Sequence, residues 1–178
     1  MKPWALVALS LGAVAASGTA AWWVGRQYEP EGTRQALERD GAALLARSFP
    51  DPAGATRPLA DLKGKVAVVN FWATWCAPCR EEMPAFSRLH AQLAPKGVQF
   101  VGIGIDSAAK ILQFSTDTPV SYPLLVGDIT AIDLTRDFGN SMQALPFTVV
   151  LDRDGRVAAT RLGRYDEHEL ATLLTRLL

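Results

Sequence analysis

The chain has 178 residues, enough for one domain and an appendage, and 49% of them are hydrophobic, ample for a core. Lysine plus arginine equals aspartate plus glutamate at 18 each, so no basic surface argues for nucleic acid. No internal repeat or low-complexity tract is present.

No charged residue occurs from Pro3 to Gly25. As a helix this run would span roughly 34 Å, enough to cross a bilayer. Trp4 stands at its near end and Trp22 and Trp23 at its far end, where amphipathic rings favour the headgroup level. Lys2 and the amino terminus place positive charge on the near side, which is expected to stay cytoplasmic. A cleaved signal peptide is the competing reading, since Ala13-Val14-Ala15 and Thr19-Ala20-Ala21 offer small residues at cleavage spacing. The length and the closing tryptophans favour an uncleaved transmembrane anchor over residues 1–25, followed by a polar tether over 26–42 and a folded domain over 43–178. Either way the domain is exported, and an exported dithiol needs a dedicated electron donor to stay reduced.

Ala43 to Phe49 is expected to form an edge strand, followed by a turn over Pro50 to Gly54. Val66 to Phe71 is a near-continuous apolar run, the pattern of a strand buried on both faces. It gives way to Trp75-Cys76-Ala77-Pro78-Cys79-Arg80, which holds the chain's two cysteines. A helix is expected from Cys76 to Ala94, with Met83, Phe86, Leu89 and Leu93 as its buried stripe and a kink at Pro84. Strands then follow at Val98 to Ile105 and Tyr122 to Val126, and helices at Asp106 to Ser115 and Asp128 to Phe138, the latter capped by Gly139. Phe147 to Leu151 and Val157 to Arg161, joined through Asp154-Gly155, read as a hairpin. Asp166 caps a last helix with Leu170, Leu173, Leu174 and Leu177 on one face. The alternation predicts an α/β domain with a mixed sheet.

Two cysteines two residues apart, after a strand and at a helix start, read as a redox dithiol. Pro78 suits the first helical position. Cys76 lies where unpaired N–H groups and the helix dipole favour an anion, so its thiol pKa falls and the thiolate attacks. Cys79, one turn further, can close the ring onto it. A structural disulfide over so short a loop constrains little. A structural zinc site wants four ligands, and His90 and His168 lie far from any such spacing, so no metal site is expected. Both histidines are read as surface or satisfied groups. Glu82, three residues after Cys79, shares its side of the helix, whereas Glu81 points away. It is a candidate proton acceptor for Cys79, or else an ordinary solvated glutamate. Trp75 is expected to shape the substrate surface, and Trp72 to be core. A cis bond at Leu145-Pro146 would present the Leu145 backbone to a substrate; a proline merely opening a strand is the plainer option.

From about Ala43 onward the chain resembles the thioredoxin superfamily, and specifically the membrane-anchored TlpA/ResA-like thiol–disulfide oxidoreductases. The likeness is carried by Lys63-Gly64-Lys65, the run Val69 to Arg80, Glu82, Pro84, Leu145-Pro146 and Asp152 to Gly155. The resemblance implies a thioredoxin-like fold, Cys76 attacking, Cys79 resolving, Pro146 in cis opposite them, and Glu82 as the active-site glutamate. Trp75, Ala77, Pro78, Leu145 and Pro146 become the residues expected to meet the substrate. Asn70 stands where thioredoxin itself has a buried aspartate, which removes a direct relay from that position. The resemblance further implies a single-pass protein of the bacterial inner membrane with its catalytic domain on the periplasmic side. It would need no cofactor, draw electrons from a membrane partner of the DsbD/CcdA kind, and reduce exported proteins, cytochrome c maturation among its tasks. Two other classes stay open: a Cu(I) metallochaperone using both thiolates, and a peroxiredoxin-type peroxidase, for which no third cysteine exists.

Overall fold

The computed structural model describes residues 40–178. The expected anchor, residues 1–25, and the tether up to residue 39 lie outside these. Among the described residues no helix is long and apolar enough to cross a membrane.

The chain opens with a one-turn helix α1 (Ala42–Leu45) and a small antiparallel hairpin, β1 (Ser48–Pro50) with β2 (Thr56–Pro58). This corrects the strand expected over Ala43 to Phe49. Leu44 and Leu45 are both buried, and adjacent residues turn inward together on a helical turn but point to opposite faces on a strand. Then come β3 (Val66–Trp72), α2 (Ala77–Leu93), β4 (Val98–Ile105), α3 (Ala108–Asp117) and β5 (Leu124–Gly127). The hairpin β6 (Phe147–Leu151) and β7 (Val157–Leu162) precedes the last helix α4 (Glu167–Leu177). Between β5 and β6 the expected helix is present over Ile129–Phe138, but as 3-10 turns. Its buried Ile132, Thr135 and Phe138 recur every three residues, which is that helix's period.

The main sheet has the order β5-β4-β3-β6-β7. β3 is central, parallel to β4 and antiparallel to β6, and all seven of its residues are buried. Its side chains alternate between two apolar layers. Val66, Val68 and Trp72 pack with Met83, Phe86, Leu89 and Leu93 of α2 and with Leu170 and Leu174 of α4. Ala67, Val69 and Phe71 pack with Leu44, Leu45, Ile132 and Phe138 on the other side. Gly102 and Gly104 of β4 clear space on the α2 face: a Cβ at 102 would lie 3.1 Å from Trp72 Nε1, and one at 104 would lie 2.5 Å from Ile111 Cδ1. The large indole of Trp72 thus packs over these two glycines.

Candidate active site

α2 begins directly beyond the end of β3, through Ala73, Thr74 and Trp75. Cys76 is its N-cap residue, with extended backbone angles, and its Sγ accepts the Cys79 N–H at 3.3 Å. Ala77 opens the helix and Pro78 follows as its second residue, one step later than expected, still within the turn whose N–H groups have no intrahelical partner. The cysteines are joined in a disulfide. Cys76 keeps 6% of its surface exposed and Cys79 none. Of the two cysteines, only Cys76 has surface open to solvent. The Cys79 N–H and the N-terminus of α2 both point at Cys76 Sγ, a position where helix ends favour negative charge.

The loop that carries Cys76 is tied at its rear. Thr74 Oγ1 donates to Asp106 Oδ2 at 2.5 Å, and Asp106 Oδ1 accepts the Ser107 N–H and pairs with Lys110. Burial pushes the Asp106 carboxyl up, but those hydrogen bonds outweigh it and hold it below the usual range.

Glu82 lies on the inner side of α2 and is 2% exposed. Its Oε1 accepts from Asn70 Nδ2 at 2.8 Å, and its Oε2 accepts the backbone N–H of Tyr165 at 2.9 Å. Burial pushes its carboxyl up to about 7, against those two hydrogen bonds and the charge of Arg164, which pull it down. Tyr122, also buried, is pushed well up by burial and by the charge of Glu82. Glu81, as expected, points outward and pairs with Arg164 at 2.9 Å.

The Leu145-Pro146 peptide bond is cis. Because Phe147 of β6 pairs with Phe71 of β3, Pro146 sits at the same end of the sheet from which the cysteine loop leaves. The Pro146 carbonyl accepts the Gly163 N–H at 2.8 Å. Leu145 packs against the cluster that contains both cysteines, and among the described residues its N–H and C=O have no partner. Trp75 is 67% exposed, Ala77 and Pro78 are exposed, and Trp72 is core. His168 is exposed, and His90 is half-buried against Phe100 and Tyr122 with Nδ1 on Ser121. Among the described residues no three His, Cys, Asp or Glu gather as a metal site.

Residues 39–176 match the family model described as Redoxin. The chain belongs to the redoxin family. It is 31% identical over 120 residues to the thiol-disulfide oxidoreductase ResA of Bacillus cereus, 67% of each chain. It is 32% identical over 147 residues to the thioredoxin-like protein YneN of Bacillus subtilis, covering 80% of this chain and 83% of that one. A secreted thiol-disulfide isomerase from Corynebacterium glutamicum superposes with a TM-score of 0.66 at 27% identity, over 74% of this chain and 83% of that one. A redoxin with a bonded CxxC pair at the mouth of α2 is a thiol–disulfide oxidoreductase of the TlpA/ResA-like kind.

The cysteines, Glu82 and Pro146 are legible along the chain, but what holds Glu82 is not: Asn70, Thr148 behind it, and the Tyr165 backbone. The one legible signal was a polar residue inside the apolar run of β3. The Thr74–Asp106 tie is likewise not legible along the chain.

Proposed function

We propose that this oxidoreductase works as a reductant of exported polypeptides. The Cys76 thiolate attacks a substrate disulfide, forms a mixed disulfide and releases one substrate thiolate. Cys79 then gives its proton to Glu82 and attacks Cys76 Sγ, which releases the second substrate thiolate and leaves Cys76 and Cys79 joined. Two electrons pass to the substrate in each cycle, so a thiol donor must return two. A membrane carrier of the DsbD/CcdA kind fits that need.

What supports this most is the placement of a buried carboxyl on α2 three residues after the resolving cysteine, where burial pushes it up to about 7 and a proton can be taken and returned. Trp75, Ala77, Pro78 and the free Leu145 backbone groups form the surface a peptide would meet, the last as added-strand partners. Export rests on the apolar first segment and on the secreted relative. Within export, cytochrome c maturation suits the chemistry, because a CxxCH haem site must be a dithiol before it is used.

Cys79→Ala tests the attack order: substrates should accumulate on Cys76 as adducts released by a small thiol. If none accumulate, Cys76 is not the attacking sulfur. The direction is tested by the Cys76–Cys79 midpoint potential. A value near that of thioredoxin, about −270 mV, is expected, and one near that of DsbA, about −120 mV, would make the protein an oxidant.

A further inference from the structure

Asn70 is the one polar side chain among the seven buried residues of β3. It projects toward α2, and its Nδ2 donates to two acceptors, Glu82 Oε1 at 2.8 Å and Thr148 Oγ1 at 3.0 Å. Both N–H groups are therefore used. The other end of the amide, Oδ1, is sealed from solvent and has no hydrogen-bond partner among the described residues. A buried carbonyl without a partner costs stability, so its orientation needs a reason.

The two oxygens of Glu82 supply it, because they are not equivalent. Oε2 faces the Tyr165 N–H, which donates and cannot accept. The proton that neutralises Glu82 therefore belongs on Oε1. Oε1 faces Asn70 Nδ2, another donor, so the observed amide orientation fits the ionised carboxylate. With the proton on Oε1, a donor would confront a donor. A half-turn of the amide exchanges Nδ2 for Oδ1 at almost unchanged volume. Oδ1 then accepts from the acid, and the Thr148 hydroxyl, free to rotate, donates to it instead of accepting, while the NH2 moves to the side where Oδ1 had no partner, so the turned form is held by the acid proton and is stable only while Glu82 carries it.

We propose that Asn70 is a two-way positioning residue whose amide turns end for end as Glu82 takes up and releases the proton it exchanges with Cys79. This rests on the reading of Glu82 as the acceptor of that proton. An ionised aspartate at position 70 would accept only and repel the glutamate, and a hydrocarbon would serve neither form. A carboxamide carries donor and acceptor at equal reach, so both forms of Glu82 are held in the same place without repacking.

Among the described residues the titratable and charged groups facing Glu82 are few. Cys79 precedes it on α2, Arg164 approaches from the loop between β7 and α4, and Tyr122 from the segment before β5. β3 and β6 bring the neutral Asn70 and Thr148. β4 brings only Gly102, Gly104 and hydrocarbon to this layer. Tyr122 stays a phenol at neutral pH, since burial and Glu82 both push its ionisation up.

The experiment is NMR on the full-length, isotope-labelled chain in detergent micelles, in the disulfide form so that no thiol titrates. The Glu82 carboxyl carbon reports its protonation, and the Asn70 NH2 protons report the amide. The Asn70 resonances should titrate with the Glu82 midpoint, and their contacts to Thr148 should disappear below it. In Glu82→Gln the new carboxamide oxygen takes the Tyr165 N–H and its NH2 turns to Asn70, so the low-pH orientation should persist at every pH. Thr148 contacts that survive on both sides of the midpoint would make Asn70 a fixed strut and overturn the inference, with Glu82 still in its role. Single-turnover reduction of a disulfide peptide gives the second readout. Asn70→Leu should move the acidic limb of the pH profile upward by about one pH unit, Asn70→Asp by more, and Asn70→Ser, which both gives and accepts, by less. An unmoved limb in Asn70→Leu also overturns it. If Glu82→Gln leaves the whole profile unchanged, the underlying reading of Glu82 fails and takes the inference with it.

Discussion

Two asparagines in this domain are equally buried, at 1% exposure each, and they differ in how completely they are bonded. Asn140 belongs to the layer of Ile132 and Phe138. Its Nδ2 donates to Thr135 Oγ1 at 3.0 Å and to the Ala144 carbonyl at 2.9 Å, while its Oδ1 accepts the Ala144 N–H at 3.1 Å. Every polar atom of that side chain is matched, and the result is a braced loop leading to the cis proline. Asn70, on the α2 side, has both N–H groups matched and its carbonyl unmatched, next to a carboxyl near its midpoint. Among the described residues the remaining buried side-chain polar atoms without a partner, Trp72 Nε1, His90 Nε2 and Tyr122 Oη, belong to residues on the α2 side as well. The layer whose buried asparagine is fully bonded braces the fold, and the layer with incomplete bonding holds the cysteines and Glu82.

The widest separation between the two regions should come from the cysteine itself. Cys76→Ser is expected to bring disulfide reduction down to the rate of the buffer thiol while leaving both asparagine networks folded. Near-wild-type turnover in that variant would remove the α2 mouth as the reactive site. Next in size is Asn140→Ala, which strands three polar groups and should cost about 4 kcal/mol in denaturant unfolding, with no movement of the pH profile of reduction. A shifted profile there would erase the distinction between the two asparagines.

Glu82 offers a contrast of about 3 kcal/mol that depends on pH. Its folded value is about 7 and its ordinary value 4.5. Below 4.5 both folded and unfolded chains carry the proton. Between 4.5 and 7 the folded chain binds it more strongly, and above 7 both have lost it. The stability from keeping Glu82 neutral is therefore complete at low pH and lost as pH rises through 7. Glu82→Gln removes that loss, so its stability relative to the parent should grow by about 3 kcal/mol from pH 4.5 to pH 8. Denaturant melts across that range would show it, and a constant difference would mean that burial does not raise this carboxyl. The smallest stability effect belongs to Trp75→Ala, within about 0.5 kcal/mol because the ring is exposed, yet it should raise KM for a protein substrate. An unchanged KM would take Trp75 out of the substrate surface.

Much of this was legible along the chain. The apolar run of β3, the stripe Met83, Phe86, Leu89 and Leu93, and the Asp-Gly hairpin each announce their element through periodicity or turn chemistry, which depend on residues close in sequence. Leu44 and Leu45 misled because two adjacent leucines suit a strand or one helical turn, and only their common burial chooses. The 3-10 form of Ile129–Phe138 was hidden for a related reason: an apolar spacing of three or four does not separate it from an α-helix over so few turns.

By itself the sequence determined the reactive pair, which sulfur lies at a helix start, and that Glu82 shares a side with Cys79, since all three follow from positions a few residues apart. Only the tertiary structure decided how that glutamate is held. Its partners lie 12 residues away at Asn70 and 83 away at Tyr165, and they meet it because β3 is the centre of the sheet and α4 folds back across α2. Burial and hydrogen bonding across such distances set the proton affinity of a carboxyl, and no local pattern encodes them.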